Sequence, residues 1–250
     1  ILNVINREGN TEKFEGHANI SLISSKLLME GPLPKFKGLK GSWMIAGRRT
    51  YFDTFFNAIC GDACDEAGFK FPYFFYDYQL KVNVDVNQDH RLTYSRFYGD
   101  DVLDFSFKPT VDEYYDINSD YYEKSTNTFG IDWPWGNHTN SLTWRWLISP
   151  QLVARTFFAT SRYRFHFDMN SKYEGTWSVG NESGNYLDQW SFDFYDYVDD
   201  QTLETEISWH GIENHQIMGG LQLKQVDYDL GMEFEYKNLD TTFYAKPLEM

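Results

Sequence analysis

The 250-residue sequence predicts an all-β chain whose antiparallel strands follow one another as an up-and-down meander, in the pattern of a portion of a transmembrane β-barrel. Three observations predict it: two-residue alternation in segment after segment, a parity of short turns and long connections, and an aromatic content at odds with a polar chain. The rings make up 19% of the residues, with 21 Phe, 18 Tyr and 8 Trp, while mean hydropathy is −0.56. Two environments accommodate so many rings: a ring-lined carbohydrate or ligand surface, or a membrane barrel with aromatic girdles and a polar lumen.

The clearest strand is YDYQLKVNVDV (76–86). Tyr76, Tyr78, Leu80, Val82, Val84 and Val86 occupy alternate positions, with Asp77, Gln79, Lys81, Asn83 and Asp85 between them. That period gives a strand one apolar and one polar face. Three hairpins follow, through YDYQLKVNVDV–NQDH–RLTYSRFYG, NSLTWRWLI–SPQ–LVARTFFATSRYRFHF and TLETEISWHG–IENH–QIMGGLQLKQVDY, each closed by three or four turn residues. The connections between hairpins read as long, at 52–72, about 108–133 and about 170–200, and are rich in Asp, Asn, Gly and Tyr. A short helix is expected only within 53–68. Short turns alternating with long loops are the asymmetry of an outer-membrane barrel, with its short periplasmic turns and long extracellular loops.

Face by face, Leu142, Trp144, Trp146 and Ile148 oppose Ser141, Thr143 and Arg145, and Leu203, Ile207 and Trp209 oppose Glu204, Glu206 and Ser208. In 151–168, Phe157, Tyr163, Phe165 and Phe167 oppose Arg162, Arg164, His166 and Asp168. A soluble core would pay several kcal/mol for each unpaired buried charge, whereas a wet lumen accepts them. The expected lumen set is therefore Arg48, Lys81, Arg145, Arg162 and Arg164, and the expected lipid-facing or girdle set is Tyr76, Tyr78, Trp144, Trp146 and Trp209. Residues 90–107 alternate less cleanly, since Arg96 shares a face with Tyr94.

A net charge of −15 argues against a nucleic-acid partner, which needs clustered Lys and Arg. No stretch of 18 apolar residues supplies a transmembrane helix, although a membrane strand needs only ~9–11 alternating residues. Ile1 reads as lying inside a strand, as in a mature or truncated chain. The two cysteines of CGDAC, Cys60 and Cys64, read first as a local disulfide and second as free thiols; a metal site ranks last, because two ligands without a nearby His are too few. No catalytic residue is expected. The adjacent carboxylates Asp100–Asp101 and Asp199–Asp200 fall on opposite faces of a strand, whereas a glycosidase pair must face one substrate. The acidic, tyrosine-rich 109–124 lacks EF-hand spacing and reads as a solvated loop. A secreted, aromatic-rich β-sandwich module for carbohydrate is the alternative from a different class, and a passive porin a third.

Several segments carry a resemblance. LNVINREGN (2–10), SLISSKLLMEGPLP (21–34), GSWMIAGRRTYFD (41–53), residues 71–101, WGNHTNSLTWRWLISPQL (135–152), SRYRF (161–165) and HQIMGGLQL (215–223) together resemble, in order and spacing, the TonB-dependent outer-membrane receptors of the Bacteroidota-like branch. The resemblance implies that residues 1–10 end a plug domain. Residues 11–250 would then form the N-terminal portion of the barrel, about nine strands of the roughly 22 that surround a plug. It makes GPLPKFKG (31–38) the first periplasmic turn and gives Arg48, beside Ser42 and Thr50, a plug carboxylate to hold. It further implies location in the bacterial outer membrane and active uptake of a scarce small nutrient, such as a metal chelate, oligosaccharide or peptide. The partners would be outer-membrane lipid and the inner-membrane TonB energy-coupling complex, with no cofactor and no metal. Ligand-binding residues are not identified by it.

Overall fold

A computed structural model describes residues 7–34, 38–62, 72–239 and 242–245. The elements are β1 (Glu15–Ile20), β2 (Ser24–Pro32), β3 (Lys40–Thr50), α1 (Phe52–Cys60), β4 (Tyr73–Asp85), β5 (His90–Ser106), β6 (Thr110–Asp116), β7 (Tyr121–Ser149), β8 (Leu152–Val179), β9 (Glu182–Ile212), β10 (His215–Asn238) and β11 (Thr242–Ala245). All strands join one antiparallel sheet in chain order, β1-β2-β3-β4-β5-β7-β8-β9-β10-β11, and β6 pairs with β7. Each of the nine expected strands has a counterpart, and β6 and β11 are additional. The sheet is not closed: β1 and β11 are its two edges.

β6 continues the line of β5. Ser106 of β5 sits opposite Gly130, and Thr110 of β6 opposite Asn127 of the same strand. Pro109 lies in the gap; a residue without an N–H cannot extend a ladder there. The turns at one end are short. Residues 86–89 close β4–β5, 150–151 close β7–β8, and 213–214 close β9–β10. In the first, the Asn87 Oδ1 accepts the N–H groups of Asp89 and His90, both at 2.9 Å. In the last, Asn214 takes φ 59°, a left-handed position that Asn tolerates.

The long connections are where the structure departs from expectation. Residues 110–116 and 121–127 form a paired hairpin, so 109–124 is not a solvated loop. Residues 170–179 and 182–191 likewise continue β8 and β9 about a two-residue turn at Gly180–Asn181. These loops are extensions of the sheet, and β9 alone has 31 residues, roughly 100 Å of chain at the usual strand rise. Tyrosine and threonine among the Asp and Asn explain why: aromatic and β-branched residues favour strands even in a polar segment. α1 begins with Asp53 in its first turn, which suits the positive end of the helix dipole and lies 3.6 Å from Arg49. Cys60 ends α1 and is disulfide-bonded; Cys64, its expected partner, lies outside the described residues, as do 35–37 of the first expected turn.

The described residues form no ordinary core. Among the described residues Met44 alone is a buried large hydrophobic, while Glu30, Ser42 and Asn83 are completely buried. A one-layer sheet is also not the two-sheet architecture of a sandwich, whose inner faces bury each other. An exposed sheet of this area has no hydrophobic term to offset the ordering of its chain unless something covers its faces.

Candidate functional site

Cross-strand partners in an antiparallel sheet project from the same face, so the register sorts every side chain. One transverse row runs Tyr78, Tyr98, His138, Arg162, Asp199 and Asp227. Trp144 and Trp146 lie an even number of residues from His138 and share that face; so does Trp209, opposite Leu152. The five residues expected to face lipid or a girdle, Tyr76, Tyr78, Trp144, Trp146 and Trp209, therefore project from a single face. Lys81 opposes Ser95, and Arg145 opposes Arg91 and Arg155, all on the other face. Arg48, opposite Asp77, belongs with them.

Arg162 and Arg164 are a correction. Both project from the Trp144 face and not from the face of Lys81 and Arg145. Arg162 makes a two-pronged bond with Asp199, both at 2.7 Å. Arg164 donates to Asp100 at 2.5 Å and to the Tyr98 hydroxyl at 2.8 Å. The reason is that the alternation reverses phase along the strands. Toward the short turns the Trp144 face carries Leu142, Trp144, Trp146, Phe158, Leu203, Ile207, Trp209, Ile217, Leu221 and Leu223, all of them exposed. Ile45, Leu27 and Ile20, the last 81% exposed, share this face but lie farther along it, level in the register with Asn140, Arg162 and Arg164. Farther from the short turns the same face becomes polar, with Asp100, Arg162, Arg164 and Asp199. Beyond these comes a row of five carboxylates at one height, Asp104, Asp132, Asp168, Asp193 and Glu233. Burial, then the neighbouring Asp104, pushes the Asp132 carboxyl above its ordinary range.

The opposite face reverses in step. Near the short turns it is polar, and farther out it becomes a wall of rings. Trp133 meets Phe165 and Phe167 edge-on at 5.8 and 5.5 Å, Phe165 meets Phe194 at 5.8 Å, and Phe167 meets Phe192 at 6.1 Å. Tyr73 stacks on Trp135 at 6.3 Å and donates to Asp101 at 2.5 Å. Such a surface, rings with carboxylates at their edge, can bind the flat faces of sugars or other partly apolar solutes. Asp100 and Asp101 occupy opposite faces, as strand geometry requires, and so do Asp199 and Asp200; Asp200 pairs with Lys224 at 2.5 Å.

Across the polar part of this face lies the segment that precedes β1. Arg7 is ion-paired with the buried Glu30, and Glu8 with Arg91. Gly9 is buried against β3; a Cβ there would stand 2.2 Å from the Trp43 carbonyl oxygen, so only glycine lets the segment lie so close. Arg48 finds its carboxylate on the neighbouring strand, with Nη2 2.6 Å from Asp77, and its guanidinium covers the Phe75 ring at 4.8 Å. Arg91, Arg145 and Arg155 form a cross-strand row of like charge, with Glu206 opposite Arg155. Sequence reasoning missed the buried Glu30–Ser42–Asn83 set, the ring wall and the phase reversal. The last left a trace, because in 182–212 Trp190, Phe192, Phe194 and Val198 hold even positions whereas Leu203, Ile207 and Trp209 hold odd ones. No protein-family model matches the chain, and no curated protein or solved structure matches it either.

Proposed function

We propose that this chain is the N-terminal portion of the barrel of a TonB-dependent outer-membrane receptor, engaged in active uptake of a scarce small nutrient and not in catalysis. One observation carries the proposal: from β7 to β10 the exposed apolar residues of one face form a band next to the short turns. Along β9 the band runs from Leu203 to Trp209, seven residues or roughly 20 Å along the strand, shorter than the ~25 Å apolar belt of a membrane barrel but of the same order. Lipid is the solvent that suits such a band, and Trp144, Trp146 and Trp209 sit where an interfacial girdle belongs. The Arg145 face is then the lumen, the segment Arg7–Gly9 is the last stretch of a plug, and the arginine row receives further plug carboxylates. The strands continue past the membrane into water, and their ring wall lines the path by which a solute enters.

The sequence resemblance supports energised uptake over passive diffusion, and the docking of Arg7 and Glu8 on the lumen face agrees with a plugged barrel. In cells, the intact protein is expected in the outer-membrane fraction. Accumulation of its nutrient is expected to collapse when an uncoupler dissipates the inner-membrane proton gradient. Uptake indifferent to the uncoupler would point to a porin, and recovery as a secreted soluble protein would remove the membrane reading altogether.

A further inference from the structure

Three side chains converge on one face of the first hairpin, and of them only Glu30, through Arg7, enters the proposed function. Glu15 and Glu30 are direct cross-strand partners, and His17 stands two residues along β1 on the same face. One ligand atom from each of the three lies within 4.8 Å of the others. Two carboxylates placed opposite each other in a sheet repel, at a cost of about 0.2–1 kcal/mol. The local cations answer only part of that charge. Arg7 takes the Oε1 of Glu30, and Lys13 lies 2.9 Å from the Oε1 of Glu15. The Oε2 of Glu30 has no hydrogen-bond partner, although its side chain is completely buried. A buried carboxylate oxygen left in this state is expensive, and it needs either a donor or a cation.

We infer that Glu15, His17 and Glu30 form a binding site for a first-row divalent transition metal, with Zn²⁺ as the simplest occupant. One imidazole with two carboxylates is a donor set suited to such an ion and poorly suited to Ca²⁺, which takes six to eight oxygens. Glu30 is the fixed ligand, held by burial and by Arg7 on its other oxygen. Glu15 and His17 reach solvent and can draw in by the ångström or so that tetrahedral coordination requires. Three protein ligands leave one position for water or for a group supplied by a closing strand beside β1. An ion here ties the edge strand β1 to the β2 residue that anchors Arg7, and so fixes the hairpin beneath the N-terminal segment. The inference depends on the placement of these side chains and not on what the protein transports.

The test is a competition titration of the intact, tag-free protein in detergent, with Zn²⁺ and a chromophoric chelator, at pH 7.5. One equivalent is expected to bind with micromolar or tighter affinity. H17A and E15Q, both at solvent-reaching positions, are expected to weaken it at least tenfold, and H210A, at the short-turn end of β9, to leave it unchanged. Co²⁺ in place of Zn²⁺ is expected to give the visible absorption of a low-coordinate nitrogen–oxygen site, lost in H17A. Absence of saturable binding, or binding that H17A and E15Q leave intact, would overturn the assignment. Neither result would bear on uptake, which is measured separately.

Discussion

The half of the sheet next to the short turns and the half beyond it are built from the same strands with opposite polarity. On β7, Leu142, Trp144 and Trp146 share a face with His138 and Asp132, while Arg145 and Thr143 share the other with Trp133 and Trp135. β9 and β10 repeat the reversal: Leu203 and Ile207 share a face with Asp193 and Asp199, and Leu221 and Leu223 with Asp227 and Asp229. A strand cannot rotate its side chains partway along; only the surroundings can change. The proposed setting, lipid outside a wet lumen below and water outside a ring-lined wall above, would account for this exchange. A sheet bathed in one solvent would have no reason for it.

The largest effect expected from this contrast follows a charge placed in the band. Leu221→Arg, outward at the level of the band, is expected to cost about 2–4 kcal/mol in a lipid-based unfolding titration. Asn185→Arg, on the same face far beyond the band, is expected to change stability by less than about 0.5 kcal/mol. Equal costs at the two positions would break the comparison. Next comes the ring wall. Trp133→Ala removes two edge-on partners and is expected to loosen the outer part of β7 and β8 by about 1–3 kcal/mol, seen as faster amide exchange there with the band unaffected.

A smaller effect is expected at the Arg48–Asp77 pair. Arg48→Glu is expected to destabilise by about 1 kcal/mol, since half of the arginine is exposed, and the double change with Asp77→Arg to recover most of it. Failure of the double variant to recover would show that Arg48 acts through something other than Asp77. The smallest effect concerns the carboxylate row. Because the folded state holds Asp132 above its ordinary value of 3.8, folding takes up protons in the window just above that value. The contribution of this group to stability therefore declines as pH rises through that window. Asp132→Asn is expected to remove that decline and to stabilise by a few tenths of a kcal/mol at neutral pH, measured by parallel melts at pH 4.5 and 7.5.

Much of this was legible in the sequence. YDYQLKVNVDV had one dominant alternation over 11 residues, and β4 with its faces follows from it. NQDH, SPQ and IENH carried turn residues at three hairpin tips, and turns occur at all three. The outer extensions were less legible, because residues such as TVDEYYDINSDYYEKSTN combine loop-forming Asp and Asn with strand-forming Tyr and Thr. Pairing across β6 and β7 decided the matter, and pairing is not a local property. Arg162 and Arg164 were assigned to the lumen because one phase was assumed for the whole of 151–168. The awkward placement of Arg96 beside Tyr94 was the sign that the phase turns over, since β5 crosses the edge of the band at that residue. Glu15, His17 and Glu30 come together only through the β1–β2 register, which nothing in the sequence specifies.

The most direct measurement is tryptophan quenching by brominated lipids, in single-tryptophan variants of the intact protein reconstituted into vesicles. Trp144, Trp146 and Trp209 are expected to be strongly quenched, and Trp133, Trp135 and Trp190, on the other face or beyond the band, to be untouched. Equal quenching of the two groups, or none in either, would contradict a sheet that faces lipid on one side near its short turns and water beyond.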